Sequence, residues 1–561
     1  MSVKAGLDFG TTFSTISSLV GSEFKELWLD KSPFIPSVLS IFDGDKVLVG
    51  EMAKNVKNFS KSYTTFYDLK RWVGVSQRNF ENLKNKIKPV YKCEFKDNDC
   101  YITGVGTVVR TLPVKTIINN YIKILINLFE DQHNCKIVVL NVSVPADYTT
   151  RQRVYMRTIL DNLNIKVERM VNEPSAAALY SAFKNAEYEN FVIFDFGGGT
   201  FDISYVKRDG NKVMIVDTCG DLFLGGRDID REISRYIFSH CGFKPAELLI
   251  SNLKEDVTNS NSTKFNILSE DFAVKTIDFD KKILDELVAP YSLRALMMLD
   301  SIITRNAITS CVVCMVGGSS LLDKVYDDVQ KFCKAYDFDI VRDKNLRLSV
   351  SYGCTALHAM SDDKNFLYID VNSHSLIDFG VHMRPEIIVR KPMPIPYTHI
   401  VERRNDLSFE TSVVVLEGDS PYILDNDLIY SAGFSTTDVS KINEGYRLMY
   451  TLDVEGNVSV KLSDKTGQVE RELASSIDNS FKVVPLELEQ VQLSTSQKYS
   501  ALVSMSRYYG VNEVLHKCNV LLPFTIKNIV SINGGFDRLF GFVRSRIGRF
   551  SSGSSGKSES V

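Results

Sequence analysis

The stretch "GLDFGTTFST", residues 6–15, ends an apolar segment with an aspartate and follows it with glycine and two threonines. Nearly the same device returns at "FDFGGGTFDIS", residues 194–204. Each apolar run predicts a buried strand, so Asp8 and Asp195 are expected at strand ends facing a cleft. The repetition predicts two lobes with a duplicated core.

Glycines at such turns let backbone N–H groups approach phosphate oxygens, so the two loops predict a polyphosphate gripped from both sides. Three hydroxyls add donors: Thr11, Thr12 and Thr200. A third turn, Gly-Gly-Ser-Ser at 317–320, follows another apolar run. Because Mg²⁺ sheds water reluctantly, Asp8 and Asp195 are expected to hold it through water.

Composition limits the remaining function classes. A chain of 561 residues is too long for one hydrophobic core, which predicts three or four domains. Its net charge of -3 gives no general attraction to nucleic acid. The ten cysteines are scattered, which indicates reduced thiols in a cytosol. We also expect neither a signal peptide nor a transmembrane helix.

The pattern of predicted strands and helices changes near residue 366. Before it, short β-branched runs alternate with helical patterns, including strands at 136–144, 190–196 and 311–318 and a long helix from Val114. A helix is also expected at "NEPSAAALYSAF", where Pro174 suits the first turn. After the change the pattern is β-rich, with a hairpin around residues 455–457, and it turns helical again from about residue 493.

Seven motifs together resemble the 70-kDa heat-shock protein chaperones of the actin and sugar-kinase superfamily. In chain order they are "GLDFGTTFS" (6–14), "LKRWVG" (69–74), "SVPADYTTRQR" (143–153), "VNEPSAAAL" (171–179), "FDFGGGTFDIS" (194–204), "LGGRDID" (224–230) and "MVGGSS" (315–320). The resemblance covers residues 5–360 and extends more faintly to "TLDVEGNVSVKLSDKTG" of the β-rich part.

The resemblance implies ATP and Mg²⁺ as cofactors and slow ATP hydrolysis. The catalytic residues that it implies are Lys70, Glu173, Asp195 and Thr200. Magnesium would be held by Asp8 and Asp195. The nucleotide-binding residues would be Gly10, Thr11, Thr12, Gly197, Gly198, Gly199, Thr200, Asp202, Gly225, Gly226, Lys254, Gly317, Gly318 and Ser319. Lys70 would orient the attacking water and stabilise charge on the transferred phosphoryl group.

The implied α/β fold has several parts. An actin-like, two-lobed ATPase domain with a duplicated core occupies 1–366, an interdomain linker 367–378 and a β-sandwich-like, protein-binding domain 379–488. A shortened helical cap with a basic amphipathic segment follows at 489–550, and 551–561 is expected to be disordered.

Four residues depart from the family pattern. The family's adenine pocket has a stacking arginine, a second arginine and an acid where the alignment places Glu255, Leu321 and Arg347. Arg227 replaces a usual acid in "LGGRDID". Base recognition is therefore expected to be rebuilt while the phosphate chemistry is kept.

With its shortened C-terminal part and its departures from the family pattern, the chain as a whole most resembles the heat-shock protein homologues of plant closteroviruses, in particular the crinivirus branch. That resemblance implies a chaperone-like ATPase in virion tail assembly and cell-to-cell movement, located in host cytoplasm, plasmodesmata or the virion. Two alternatives stay open: a structural virion or docking protein with a weakly active nucleotide domain, and a general folding chaperone. Expected partners are viral coat and movement proteins or exposed protein segments, with no sequence-specific binding of nucleic acid.

Two further segments have patterns that suggest a role. "GGFDRLFGFVRSRIGRF", residues 534–550, has apolar residues at helical spacing and four arginines against one aspartate. It fits an anionic membrane surface or a groove on a partner, or it packs on the helical cap as core. Cys311 and Cys314 form a C-x-x-C pair inside an apolar run, which favours buried core cysteines over a metal or redox site.

Overall fold

The computed structural model of the chain describes residues 1–491 apart from 186, 246, 261, 270–272, 343–345, 379–384, 404–409, 436–444, 478–480 and 485. The predicted helical cap beyond residue 491, the amphipathic segment 534–550 and the tail 551–561 lie outside the described residues. Residues 1–492 form one compact unit. Three parts of it are named here: the first half (1–172), the second half (173–371) and the β domain (376–473).

The first half is built on a mixed sheet. Its strands are β1 Ser2–Phe9, β2 Phe13–Val20, β3 Glu23–Glu26, β4 Ile35–Pro36, β5 Leu39–Phe42, β6 Lys46–Val49, β7 Tyr63–Phe66, β8 Cys93–Lys96, β9 Asp99–Thr103, β10 Val105–Gly106, β11 Thr111–Pro113, β12 Lys136–Val144 and β13 Lys166–Asn172. Its helices are α1 Gly50–Lys54, α2 Phe80–Ile87, α3 Val114–His133 and α4 Thr150–Asp161, with 3₁₀ turns at Val56–Asn58 and Leu69–Trp72. The main sheet has the order β13-β12-β1-β2-β3, and β4 pairs with β2.

The second half repeats this plan. Its strands are β14 Asn190–Phe196, β15 Phe201–Asp209, β16 Lys212–Asp221, β17 Lys264–Leu268, β18 Val274–Asp278, β19 Val312–Val316, β20 Asp339–Arg342 and β21 Leu367–Val371. Its helices are α5 Glu173–Lys184, α6 Gly226–Cys241, α7 Glu247–Asn259, α8 Lys281–Arg305, α9 Asp323–Tyr336 and α10 Ser349–Ser361, with a 3₁₀ turn at Gly318–Leu321.

The two main sheets share strand order and strand sense. In the order β20-β19-β14-β15-β16, the first three strands run parallel to one another, and β15 is antiparallel to both of its neighbours, β14 and β16. The order β13-β12-β1-β2-β3 has the same senses. β1 and β14 therefore occupy equivalent places, and each delivers its aspartate to the carboxyl end of a central strand.

Local sequence explains the helices that hold these sheets. α5 begins after Asn172 with Pro174 in its first turn, as the pattern predicts, because proline lacks the N–H that would be unpaired there. α5 packs directly on α10. A Cβ at Gly353 would lie 1.7 Å from the carbonyl oxygen of Ala176, so only glycine allows this approach.

The β domain consists of two four-stranded antiparallel sheets, β23-β22-β26-β27 and β25-β28-β29-β30. Its strands are β22 Leu376–Asp378, β23 Glu386–Val389, β25 Tyr397–Arg403, β26 Glu410–Glu417, β27 Asp427–Ser435, β28 Tyr446–Leu452, β29 Val458–Asp464 and β30 Val469–Glu472, while the short strand β24 Pro394–Ile395 belongs to the second-half sheet. A 3₁₀ turn lies at Ile423–Asp425. Tyr450, Val415 and Leu462 are fully buried between the sheets. The predicted hairpin is the β28–β29 pair, where Gly456 adopts a positive φ of 82°.

Strands occupy most of the segment predicted as an interdomain linker. β21 belongs to the second-half sheet, where it pairs with β16, and β22 begins the β domain. Residues 372–375 join these two strands along the chain, and β24 also pairs with β21. After the β domain the chain returns to the first half, where β31 Glu489–Gln490 adds to β6 in parallel. Residues 481–491 are called the strap below.

Among the described residues, α8 is long and apolar enough to cross a membrane by length and composition, whereas the sequence analysis expects no transmembrane helix. Three of its apolar residues, Leu284, Val288 and Leu299, belong to the core of the second half, while Leu293 and Met297 are exposed. Cys311 and Cys314 are both buried, as predicted for core cysteines.

Candidate functional site

The two glycine loops face each other across the cleft between the halves. A Cβ at Gly198 would lie 2.4 Å from Oγ1 of Thr12, and one at Gly199 would lie 2.5 Å from Oγ1 of Thr11. Any side chain at these glycines would separate the loops. Oγ1 of Thr12 is buried and has no hydrogen-bond partner among the described residues, so it is left as a donor for a ligand between the loops.

Two more predicted segments join the second loop. The amide of Gly226 donates to the carbonyl of Gly197 at 3.1 Å, and the Ser319 hydroxyl donates to the same carbonyl at 2.8 Å. Gly225 packs so closely that a Cβ would lie 2.5 Å from the carbonyl carbon of Gly199. Gly317 has a positive φ of 81°, which suits glycine at this turn. Motifs separated by more than a hundred residues therefore form one phosphate-sized cradle.

The floor of the cleft is a buried cluster of acids around one lysine. Nζ of Lys70, from the 3₁₀ turn Leu69–Trp72, donates to Oε1 of Glu173 at the start of α5. Burial raises the pKa of Asp8 to about 6, and Glu173 adds to the rise, while Lys70 and the Ser143 hydroxyl counteract it. The Ser143 hydroxyl donates to Oδ1 of Asp8 at 2.8 Å.

Asp195 and Asp202 are two buried acids whose pKa values are both raised. They are direct partners across β14 and β15, so their carboxylates lie side by side. Burial raises the pKa of both well above the ordinary value, and Glu173 adds to the rise in each case. For Lys70, burial alone would lower the pKa, but the neighbouring Glu173 and Asp8 outweigh it and raise it. The cluster has one cation for four carboxylates.

This charge imbalance fits a divalent cation. Buried carboxylates cost free energy unless a positive charge compensates them, and one lysine does not balance the set. No three His, Cys, Asp or Glu residues within the described ranges converge closely enough to bind a metal directly. Asp8 and Asp195 thus fit Mg²⁺ that keeps part of its water shell.

The cleft encloses a cavity of about 320 Å³ that most of the predicted site residues line. The lining members are Asp8, Gly10, Thr11, Thr12, Lys70, Glu173, Asp195, Gly197, Gly198, Gly199, Thr200, Gly226, Lys254, Gly317, Gly318 and Ser319. Asp202 and Gly225 lie behind this layer, one beside Asp195 and one against Gly199.

Lys254 is held by its own half of the molecule. Its Nζ lies 2.8 Å from Oδ1 of Asp230 and donates to the Gly226 carbonyl at 3.0 Å. Asp230 therefore forms an ion pair with Lys254, which the sequence analysis predicted only as a nucleotide-binding residue. The acid stands in "LGGRDID", but its partner lies on α7, so no local signal links the two.

The far end of the cavity contains the departures from the family pattern. The Arg347 guanidinium lies 3.9 Å from the ring centroid of Phe34 and 4.7 Å from that of Phe13. Burial lowers the pKa of Arg347, and Glu255 on α7 counteracts it. Leu321 lines the same end. The sequence prediction named the three substitutions but missed both phenylalanines.

Two ion pairs tie the halves together beside the cleft, and the sequence prediction missed them. Arg227 on α6 donates to Asp68 at 2.9 Å, and Arg71 lies 3.6 Å from Asp228. All four side chains are at least 89% buried. Arg227, which departs from the family pattern, is therefore paired with Asp68 of the opposite half.

Comparisons with known proteins show the family of the chain. The sequence model of the family described as Hsp70 protein matches residues 4–501. The movement protein Hsp70h of lettuce infectious yellows virus is 37% identical over 553 residues, which cover 98% of this chain and 99% of that protein. The Hsp70h movement protein of grapevine leafroll-associated virus 3 is 32% identical over 71% of this chain and 74% of its own length. That of beet yellows virus is 28% identical over 82% and 77%.

Proposed function

The chain belongs to the Hsp70 family, and we propose that it is a viral movement protein that hydrolyses ATP to control its grip on protein segments. Hsp70 proteins are generally ATPases that bind ATP with Mg²⁺. The proposal gives residues 1–366 an actin-like, two-lobed ATPase role and the β domain a protein-binding role. The single observation that carries it is the meeting of the two phosphate loops above the Lys70–Glu173 pair.

Each part of the cleft has a task in this reaction. The loop amides and the Thr11 and Thr12 hydroxyls hold the phosphates, and Mg²⁺ held through water by Asp8 and Asp195 would neutralise phosphate charge. Water attacks the γ-phosphorus, the bond to the β–γ bridging oxygen breaks, and that oxygen keeps the electron pair on ADP. Lys70 stabilises the charge on the transferred group, and Glu173 fixes the ammonium in place. The proton of water leaves with phosphate or solvent.

Contacts between the halves and the β domain supply the coupling. Glu417, at the end of β26, accepts hydrogen bonds from the amide and the hydroxyl of Thr150 at 2.7 and 3.1 Å. Thr150 begins α4, where a carboxylate is stabilised by the helix dipole. Ser373 donates to the carbonyl of Ala146 in the same region. A change in the first half on nucleotide binding would thus act directly on the β domain.

The movement role rests on the relatives whose printed name is movement protein. We propose viral coat and movement proteins, or exposed segments of them, as the partners, with virion tail assembly and transport to plasmodesmata through the host cytoplasm as the setting. The segment 534–550 would add contact with a membrane surface or a partner groove.

Purified full-length chain tests the proposal. ATP turnover is measured with Mg²⁺ and with excess chelator, and proteins retained from infected tissue are compared in ATP and in ADP. We expect slow, Mg²⁺-dependent turnover and a set of viral proteins whose retention depends on nucleotide. Turnover that is indifferent to Mg²⁺, or retention that is equal in both nucleotides, would count against it.

One observation favours a second function, a structural docking protein of the virion. At the base end of the cavity Arg347 stacks on Phe34 in place of the groups of the family's adenine pocket, so base recognition would be altered and nucleotide binding weaker. In that case the chain would join particles equally well with its cleft empty. Incorporation of an Asp195→Asn variant into virions at the wild-type level would support docking over hydrolysis.

A further inference from the structure

A second cavity, of about 470 Å³, begins where the phosphate cradle ends. Thr11, Lys70, Gly199 and Thr200 line both this cavity and the nucleotide cavity. Phe34 and Arg347 line only the nucleotide cavity. The second cavity therefore opens from the γ-phosphate end of the cleft, opposite the base.

The walls of this cavity come from all three parts of the unit. α2 supplies Asn82 and Lys86, and the turn after β16 supplies Phe223. Nζ of Lys86 lies 4.9 Å from the Phe223 ring centroid, so the two halves meet there. Asp427 of the β domain lines the opposite end. A group entering from the cradle would pass between the halves toward the β domain.

Its electrostatic character is cationic. Five lysines and arginines line the cavity against two aspartates, Asp147 and Asp427. His374 adds to the positive side: burial alone would lower its pKa, but Asp419, Glu417 and Asp147 outweigh burial and raise it to about 9. A cleft lined by one sign of charge concentrates ions of the opposite sign, here a small anion.

One arginine in the cavity wall, Arg71, has unused hydrogen-bond donors that suit such an anion. The Arg71 side chain is 5% exposed, and none of its three guanidinium nitrogens has a hydrogen-bond partner in the described part of the chain. Its ion pair with Asp228, at 3.6 Å, is too long for a hydrogen bond. A buried guanidinium with unused donors is costly, and a phosphate oxygen is the acceptor that its planar fork matches.

We propose that this cavity is the exit path and transient site for the inorganic phosphate released by hydrolysis, with Arg71 as its first ligand after Lys70. The inference rests on the proposed ATPase function. ADP still occupies the nucleotide cavity after hydrolysis and closes the base end, so phosphate leaves through the cationic side. The rate of its release then depends on the cavity, independently of the chemical step.

A bulky side chain that narrows the cavity tests the proposed exit path of phosphate. Asn82 and Asn85 are both exposed residues of α2, but only Asn82 lines the cavity, so Asn82→Trp and Asn85→Trp form a matched pair. Single-turnover hydrolysis is followed by acid quench, and phosphate release by a fluorescent phosphate sensor in parallel. We expect release to lag hydrolysis about fivefold or more in Asn82→Trp, with unchanged hydrolysis, and to keep pace with it in Asn85→Trp. Release that keeps pace in both variants overturns the path.

A binding measurement separates the site from hydrolysis itself. Equilibrium binding of radiolabelled inorganic phosphate is measured on the full chain with ADP, in the wild type, Arg71→Met and the surface control Arg235→Met. We expect Arg71→Met to weaken binding about tenfold and Arg235→Met to leave it unchanged. Arg71-dependent binding without any ATP turnover would sustain the site and reject the ATPase. Turnover with phosphate binding that is indifferent to Arg71 would sustain the ATPase and reject the site.

Discussion

At the scale of single residues, the base end of the nucleotide cavity shows an exchange of charge. The family's pattern has an arginine on the helix that is α7 here and an acid before α10, whereas this chain has Glu255 and Arg347 in those places. The stacking cation therefore comes from the opposite wall, where it contacts Phe34 and Phe13. Arginine on an aromatic face presents a flat surface to any purine.

We predict that this exchange makes the cavity indifferent to the base. ATP and GTP should compete with affinities within about tenfold, because the groups that distinguish adenine are replaced. The double variant Glu255→Arg/Arg347→Asp should raise the preference for ATP about tenfold or more. Competition binding on the full chain measures both.

The control is a second exchange of charge, Glu232→Arg/Arg235→Glu, in an exposed ion pair on α6. It should leave the preference unchanged. A hundredfold preference of the wild type for ATP would show that Glu255, Leu321 and Arg347 do not govern base choice.

At the scale of elements, the sequence predicted those strands and helices whose apolar residues recur with a regular period. The strand 136–144 is β12, and the helix from Val114 is α3, since apolar periodicity follows directly from burial on one or both faces. The strap was not predictable. Its pairing with β6 consists of two residues more than four hundred positions away, and backbone hydrogen bonds leave no side-chain signature of the partner.

The strap carries its own prediction. Phe481 is 7% exposed, packs edge-on to Tyr155 and lies beneath the Arg151 guanidinium, at 5.1 Å. Phe481→Ala should release the strap and lower the free energy of unfolding by about 3 kcal/mol. Limited proteolysis after the β domain, together with denaturant unfolding, measures the two effects.

The matched control for the strap is Val484→Ala. Its side chain is 58% exposed, and its contact with Thr116 is made by its backbone carbonyl, which alanine keeps. We expect little change in either measurement. Equal proteolysis of wild type and Phe481→Ala would mean that the aromatic contact does not hold the strap.

At the scale of the whole molecule, the charge network around His374 joins the first half to the β domain. Nε2 of His374 lies 3.1 Å from the Asp147 carbonyl, and Nδ1 lies 3.8 Å from Asp419. Glu417 and Lys391 complete the network from the β domain. Like the Asp68–Arg227 pair, it joins residues far apart in sequence, so its members could be predicted only as isolated charges.

This network makes docking of the β domain dependent on pH. The pKa of His374 is raised from 6.5 to about 9, so its stabilising charge is fully present below pH 6.5 and is lost as pH rises through 9. We predict that docking weakens between pH 7 and 9.5 in the wild type and becomes insensitive to pH in His374→Gln. Energy transfer between dyes on the first half and the β domain measures it, with His240→Gln as the exposed control. An identical pH profile in wild type and His374→Gln would exclude this role.

If the cleft hydrolyses ATP with Lys70 acting on the transferred phosphoryl group, Mg²⁺-dependent single turnover must depend on Lys70, and the variant Lys70→Ala measures this dependence. Lys4→Ala, which removes an exposed lysine paired with Asp362, is the control. We predict that Lys70→Ala lowers the hydrolysis rate by about 100-fold or more, while ATP affinity changes by less than about threefold, because the ammonium acts mainly in the transition state. Equal rates in the wild type and Lys70→Ala would contradict it.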